Sequence, residues 1–168
     1  MHPSIGHILV CGKGCYKTRM DIQFDLDRFV SAQNASYPSA LKELHQGHKQ
    51  GHWMWYIFPQ LEGLGHSATA VFYALSGKEE ASAYLAHPIL GPRLIECTKA
   101  ALQHAENGAN ALFGHPDDLK FQSSISLFSR AKPSDPVFQQ ALDTFFGGVA
   151  CQPTLKALRI AFQNSLNE

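Results

Sequence analysis

Charge is scarce in this sequence: Asp, Glu, Lys and Arg make up 17% of it, against ~25% in ordinary soluble domains. Acidic and basic residues are equal at 14 each. That balance excludes the broad positive surface from which nucleic-acid or membrane binding starts, leaving only a local basic patch open. No apolar run approaches the ~20 residues of a membrane span. Apolar–polar alternation over five or more residues is missing, and no hairpin dipeptide sits between β-rich runs, which argues against a sheet. Internal repeats and low-complexity linkers are absent, so nothing divides the chain into two domains. The four cysteines, Cys11, Cys15, Cys97 and Cys151, include no Cys-x-x-Cys pair. Their expected state is free thiol in a reducing cytoplasm, with a metal or redox pair at Cys11 and Cys15 as the rival. There is no His-Glu-x-x-His and no Cys–His ligand set. His45, His48 and His52 are spaced for one helix face, but Gly47 and Gly51 interrupt it. No metal and no cofactor is expected.

What is present suits one domain of helices. The chain has 168 residues, 45% of them hydrophobic. A domain of that size buries roughly 70% of its unfolded surface and needs no covalent staple. Residues 1–19 stand apart. They carry Lys13, Lys17 and Arg19 and no acid, and the apolar run Ile8 to Cys11 is too short for a signal segment. Met20 directly precedes the first helical pattern. Residues 20–168 are therefore expected to form the domain, with residues 1–19 a loose extension or a non-native start.

Helical stripes follow at short intervals. Leu26, Phe29 and Val30 mark a helix over Phe24 to Gln33. Tyr37-Pro38 opens a second, with Leu41 and Leu44 on its apolar face and Gly47 ending it. Ala68, Val71, Phe72 and Leu75 mark a third. Ser76 to Glu79 reads as a capping box before Ala81, Tyr84 and Leu85. Pro88 and Pro92 break and restart the chain ahead of Leu94, Ile95, Thr98, Ala101, Leu102 and Ala105, and Asn107-Gly108 stops that stripe. Asp117 and Asp118 sit in the first turn of the next helix, where acids favour the positive dipole end. Asp135-Pro136 opens the clearest stripe, Val137, Phe138, Ala141, Leu142, Phe145 and Phe146, which Gly147-Gly148 ends. Pro153 opens the last, with Leu155, Leu158 and Phe162 inward. The expected fold is all-α, a single multihelical domain of about eight or nine helices.

Three clusters carry candidate chemistry. Lys49 to Gln60 holds both tryptophans. Read as a helix, it sets Lys49, His52 and Tyr56 beside Trp53, Ile57 and Gln60: an aromatic wall with polar tips, suited to stacking a base or sugar. Its rival reading is a buried core helix ended by Pro59. Gly63-Leu64-Gly65-His66-Ser67 precedes a helix and has the form of an anion cradle, or simply of a glycine turn with Ser67 as cap. It is neither a Walker loop nor a dinucleotide fingerprint. On the third segment Lys120 shares a helix face with Ser123 and Ser124. Lys120 there suits phosphate binding or polarisation of a leaving group, and Asp118 suits an acid, base or counter-ion. A serine nucleophile stays open.

The run His52-Trp53-Met54-Trp55-Tyr56-Ile57-Phe58-Pro59-Gln60 with Lys49, then Gly63-Leu64-Gly65 with Ser67, closely resembles a bacterial family. It is the domain-of-unknown-function family numbered eighteen-ten, sometimes mislabelled calpastatin. The likeness continues through Glu80-Ala81, Tyr84-Leu85, His87-Pro88, Leu90-Gly91 and Arg93-Leu94. It resumes at Phe113-Gly114, Asp117-Asp118, Lys120, Ser123-Ser124 and Leu127-Phe128, and spans Phe24 to Leu158. It implies an all-α cytoplasmic domain and no established activity. The calpastatin label does not fit: that inhibitor is a disordered repeat protein. A fainter likeness runs through the order of an aromatic helix, a Glu-Ala helix and a Lys-Phe helix. In this order the chain is similar to helical N-glycosidases acting on ADP-ribose-type and riboflavin-precursor substrates. It would give roles to Glu79 or Glu80 and to Lys120-Phe121.

The expected function is binding or hydrolysis of a nucleotide-like or sugar-phosphate ligand, with an ADP-ribose-type N-glycosidase as the specific form. His52, Lys120, Asp118 and Glu80 are the candidate catalytic residues. Lys49, Trp53, Trp55, Gln60, Ser67, Ser123 and Ser124 are the candidate ligand contacts. The partner is a small molecule, without a nucleic-acid or membrane surface. The alternative is a non-enzymatic interaction module that uses the aromatic segment around Trp53 and Trp55 as a partner groove.

Overall fold

The computed structural model describes residues 24–165, with side chains described up to Arg159. The expected extension, residues 1–19, lies outside the described residues, as do Cys11, Cys15 and the side chain of Phe162. Among the described residues the elements are nine α-helices. They are α1 Asp27–His45, α2 Met54–Ile57, α3 Ala68–Phe72, α4 Lys78–Ala86, α5 Leu90–Leu102, α6 Gly108–Phe113, α7 Asp117–Ala131, α8 Pro136–Phe146 and α9 Gln152–Ser165. A 3-10 turn, Ala105–Asn107, precedes α6. Extended backbone pairs only at an isolated parallel bridge between Leu61 and Leu75. None of these helices is long and apolar enough to cross a membrane.

Helix α7 is the axis of the fold. Phe121 and every residue from Ser123 to Ser129 are buried, so the helix has no solvent face over two turns. A helix buried all round needs partners on every side, and α2, α4, α6, α8 and α9 supply them. Four of its buried residues are serines, whose hydroxyls must be bonded in place of water. Ser126 Oγ donates to the Gln122 carbonyl at 2.6 Å and accepts from the Cys151 N–H at 2.9 Å. Ser129 Oγ donates to the Ser126 carbonyl, and Ser123 Oγ lies 2.8 Å from Thr154 Oγ1 of α9. Ser124 Oγ alone is buried without a partner. The Ser123–Thr154 and Ser126–Cys151 bonds fix the start of α9 against α7.

Where the sequence predicts two helices before Gly47, the structure has one. Pro38 lies inside α1, at a local cost of about 3 kcal/mol. Phe29, Gln33, Ala40 and Leu44 are all buried, and their spacing puts them on one helix face that passes uninterrupted beneath Pro38. That face packs on α2 and α5, and this burial offsets the proline.

The cap before α4 also differs from its sequence reading. Glu80, not Glu79, reaches back: its Oε2 accepts from both the N–H and the hydroxyl of Ser76, each at 2.8 Å. Ser76 thus donates where the box expected it to accept. Asn107-Gly108 does not end the helical region, because α6 starts at Gly108. The stripe Ala68, Val71, Phe72 and Leu75 does not become one buried helix face: α3 ends at Phe72, Val71 and Phe72 are each 57% exposed, and Leu75 pairs with Leu61 instead. At α8 the signals hold. Asp135 Oδ1 accepts from the Val137 N–H with Pro136 in the first turn, and Gly147 ends α8 in the left-handed conformation at φ 58°. At Gly91 a Cβ would lie 2.1 Å from the Leu85 carbonyl oxygen, so α5 leaves α4 at a distance only glycine permits.

The core is strongly aromatic. Phe121 sits among Phe58, Phe113 and Phe145, with ring centroids at 5.0, 4.4 and 5.5 Å. Cys97 is fully buried. Burial pushes its thiol up to about 12, so it packs as a small hydrophobe and is chemically inert.

Candidate functional site

The short helix α2 decides what each tryptophan does. Trp53 precedes it and points inward, only 2% exposed. Its Nε1–H donates to Glu43 Oε2 of α1 at 2.8 Å. The same oxygen accepts from the N–H groups of Gln50 and Gly51 at 2.8 and 2.9 Å. One carboxylate of α1 therefore folds the turn before α2 and locks Trp53 in the core. Burial would raise the Glu43 pKa, but the donors from Gly51, Gln50 and Trp53, with Lys49 nearby, hold it below the ordinary carboxylate value.

A depressed folded-state pKa gives stability that is complete above the unfolded value, about 4.3 for glutamate. It is lost as pH falls through the folded value. Glu43→Gln is expected to cost about 1–2 kcal/mol at pH 7 through weakened charge-assisted bonds. Urea unfolding of both proteins should show this gap narrow towards pH 3. A gap that is the same at both pH values would remove the charge from the account.

Trp55, two residues on, faces the other way. It is half-buried and lines a cleft of about 640 Å³, within the roughly 300–1,000 Å³ of small-molecule sites. Three segments form its walls. The turn after α2 supplies Gln60, Leu64, His66 and Ser67; the first half of α7 supplies Leu119, Lys120, Gln122 and Ser123; and Val149 to Pro153 lead into α9. The walls are mostly apolar. Leu119 and Val149 are 52% and 58% exposed, large apolar groups left open at a cleft mouth. Lys120 Nζ lies 5.1 Å from the centroid of the Trp55 ring, within range of a cation–π contact.

Lys120 belongs to a charge triad. Asp117 Oδ1 accepts from Lys120 Nζ at 2.7 Å, and its Oδ2 pairs with Lys49 Nζ at 2.6 Å. Burial would raise the Asp117 pKa, but hydrogen bonds and charge from Lys120 and Lys49 hold it below the usual range. Lys49 is spent inside this arrangement. Its ammonium also donates to the Gly51 carbonyl at 2.7 Å, lies 5.1 Å from the Trp53 ring, and is 9% exposed. Within the triad two lysines and one carboxylate leave one positive charge, the Glu43 carboxylate also lies near Lys49, and Lys120, at 26% exposure, is the member that reaches the cleft.

The cleft thus brings together Trp55, Gln60, Ser67, Lys120 and Ser123 from the sequence candidates. The others lie off its walls. Trp53 and Lys49 sit behind Trp55 and Lys120. His52 is exposed in the turn before α2. Asp118 accepts from Asn110 Nδ2 at 3.1 Å and from the Leu119 N–H at 2.9 Å, and it lies 3.4 Å from the His115 ring. Glu80 is 5% exposed at its side chain and pairs with Arg28 at 2.8 Å. Ser124 is buried within α7. Ser67 caps α3 by accepting from the Ala70 N–H. Sequence reasoning did not pick out His66, Gln122 or Cys151 as site residues. Only Gly147-Gly148 and Pro153, which bracket a chain break, mark the last wall. Among the described residues no three His, Cys, Asp or Glu side chains cluster to hold a metal ion.

A family model described as "Protein of unknown function (DUF1810)" matches residues 23–158. The chain is also similar to a solved structure, the 1.38 Å crystal structure of a conserved hypothetical protein from Mycobacterium tuberculosis. Identity is 48% and the TM-score is 0.80, over 81% of this chain and 97% of the other. No curated protein matches.

Proposed function

We propose, from the premise that this chain belongs to the DUF1810 family, that it binds a small organic anion carrying a flat ring in the Trp55–Lys120 cleft. A nucleotide-like or sugar-phosphate compound has that chemistry. The observation that supports this reading is the pairing of one cation with an aromatic face on a mostly apolar wall. The apolar wall takes the ring and Lys120 takes the anionic group, while Gln60 and the side-chain oxygen of Gln122, whose amide nitrogen is held by the Val149 carbonyl, supply orienting hydrogen bonds.

Hydrolysis, the N-glycosidase form of the reading, places a further demand on the cleft: a group that moves a proton. No carboxylate lines it. His66, Lys120 and Cys151 are its ionisable residues, and the proton would have to pass through one of them. The interaction-module reading needs an accessible aromatic surface; Trp53, at 2% exposure, offers none, so that reading rests on Trp55 with the exposed Leu119 and Val149.

A thermal-shift screen tests the proposal. A compound at about 100 times its Kd adds roughly 2.7 kcal/mol of stability, which should raise Tm by about 5–10 °C in a domain of this size. Lys120→Gln should lose that shift and stay folded, because Asp117 retains Lys49. Equal shifts in both proteins would move the ligand away from Lys120.

A further inference from the structure

The cleft's charge limits the ligand more sharply than its volume does, and we infer, on the reading above, that the ligand carries a single anionic group. A mononucleotide or an aromatic carboxylate fits, and a dinucleotide or diphosphate such as ADP-ribose does not.

The wall holds one permanently charged side chain, Lys120. Lys49, the second cation of the neighbourhood, is withdrawn from it by Asp117, the Gly51 carbonyl and the Trp53 face. No arginine lines the cleft, so the forked recognition that suits phosphate chains is missing. The start of α9 adds only partial positive charge. There the Cys151 N–H is already held by Ser126, and Pro153 has no N–H to offer. His66 adds a full charge only when protonated.

A second phosphate drawn inside the cleft would therefore be desolvated against Trp55, Leu64 or Ala70 with no cation to meet it, a loss that apolar contacts do not offset. A single anionic group on Lys120 leaves the rest of the ligand neutral. That matches a wall of Trp55, Leu64 and Leu119 edged by side-chain amides.

The test is calorimetric titration of the full chain at pH 8 with AMP, ADP and ADP-ribose compared. The expected result is AMP binding about tenfold or more tighter than ADP-ribose, a difference of ~1.4 kcal/mol, with AMP binding lost in Lys120→Gln. Binding of ADP-ribose equal to or tighter than AMP, still dependent on Lys120, would overturn the single-anion inference and leave the ligand cleft standing. Binding of AMP that survives Lys120→Gln would overturn the inference, since the lone cation would not be its anchor. No binding by any of the three, with benzoate and nicotinate also silent, would overturn the inference and the cleft reading together.

Discussion

Replacing Glu80 with alanine is expected to lower stability by about 3–5 kcal/mol, the range for breaking a buried ion pair by removing one partner. Three segments meet at this side chain. Its Oε1 takes the Arg28 guanidinium of α1 at 2.8 Å, and its Oε2 takes the N–H and hydroxyl of Ser76 ahead of α4. Arg28 also donates to the carbonyls of Phe72 and Ala74, so loss of Glu80 loosens the whole link between α3 and α4. At roughly 2–4 °C per kcal/mol for a domain of this size, Tm should fall by about 10 °C. Far-UV circular dichroism melts check this directly. A variant as stable as the parent would contradict the structural role given to Glu80.

The two tryptophans should respond in opposite ways. Trp53→Ala empties a fully buried site and removes one of the three N–H donors to Glu43, so about 3–5 kcal/mol should be lost. Trp55→Ala removes a half-buried ring from a cleft wall. It should cost less than about 2 kcal/mol while abolishing ligand-induced stabilisation. Denaturant unfolding of both variants reads the first difference, and thermal shifts read the second. Trp55→Ala as costly as Trp53→Ala would make both rings core residues and remove the aromatic wall.

That contrast marks where sequence reasoning stopped. Trp53 and Trp55 are two residues apart, so on a helix they face different sides, and which of them is buried depends on an inward direction, while on an extended segment they would share one face. The direction is set by Glu43, ten residues earlier, through a hydrogen bond no local pattern announces. Helix α8 was fully legible, because Val137, Phe138, Ala141 and Leu142 are buried in register and Asp135, Pro136 and Gly147 punctuate both ends. Pro38 misled because a local breaker competes with a stripe sixteen residues long, from Phe29 to Leu44, and the longer signal prevailed.

The all-α class followed from missing alternation, and the family resemblance over Phe24 to Leu158 coincides with the matched span of 23–158. The cleft was legible in part. Trp55, Gln60, Ser67, Lys120 and Ser123 come from three separate segments, and the packing of α7 unites them. The Val149–Pro153 wall was hidden because its position depends on the Ser123–Thr154 and Ser126–Cys151 bonds between α7 and α9.

The most direct measurement uses the chain's two indole N–H groups as paired reporters. Two-dimensional ¹H–¹⁵N NMR resolves both, and Trp55→Phe assigns them. On titration with AMP, the Trp55 indole signal should move progressively to saturation, while the Trp53 signal, held by Glu43 in the core, stays in place. Neither signal moving at millimolar AMP, benzoate or nicotinate, or Trp53 moving while Trp55 does not, would contradict a ligand site in the Trp55–Lys120 cleft.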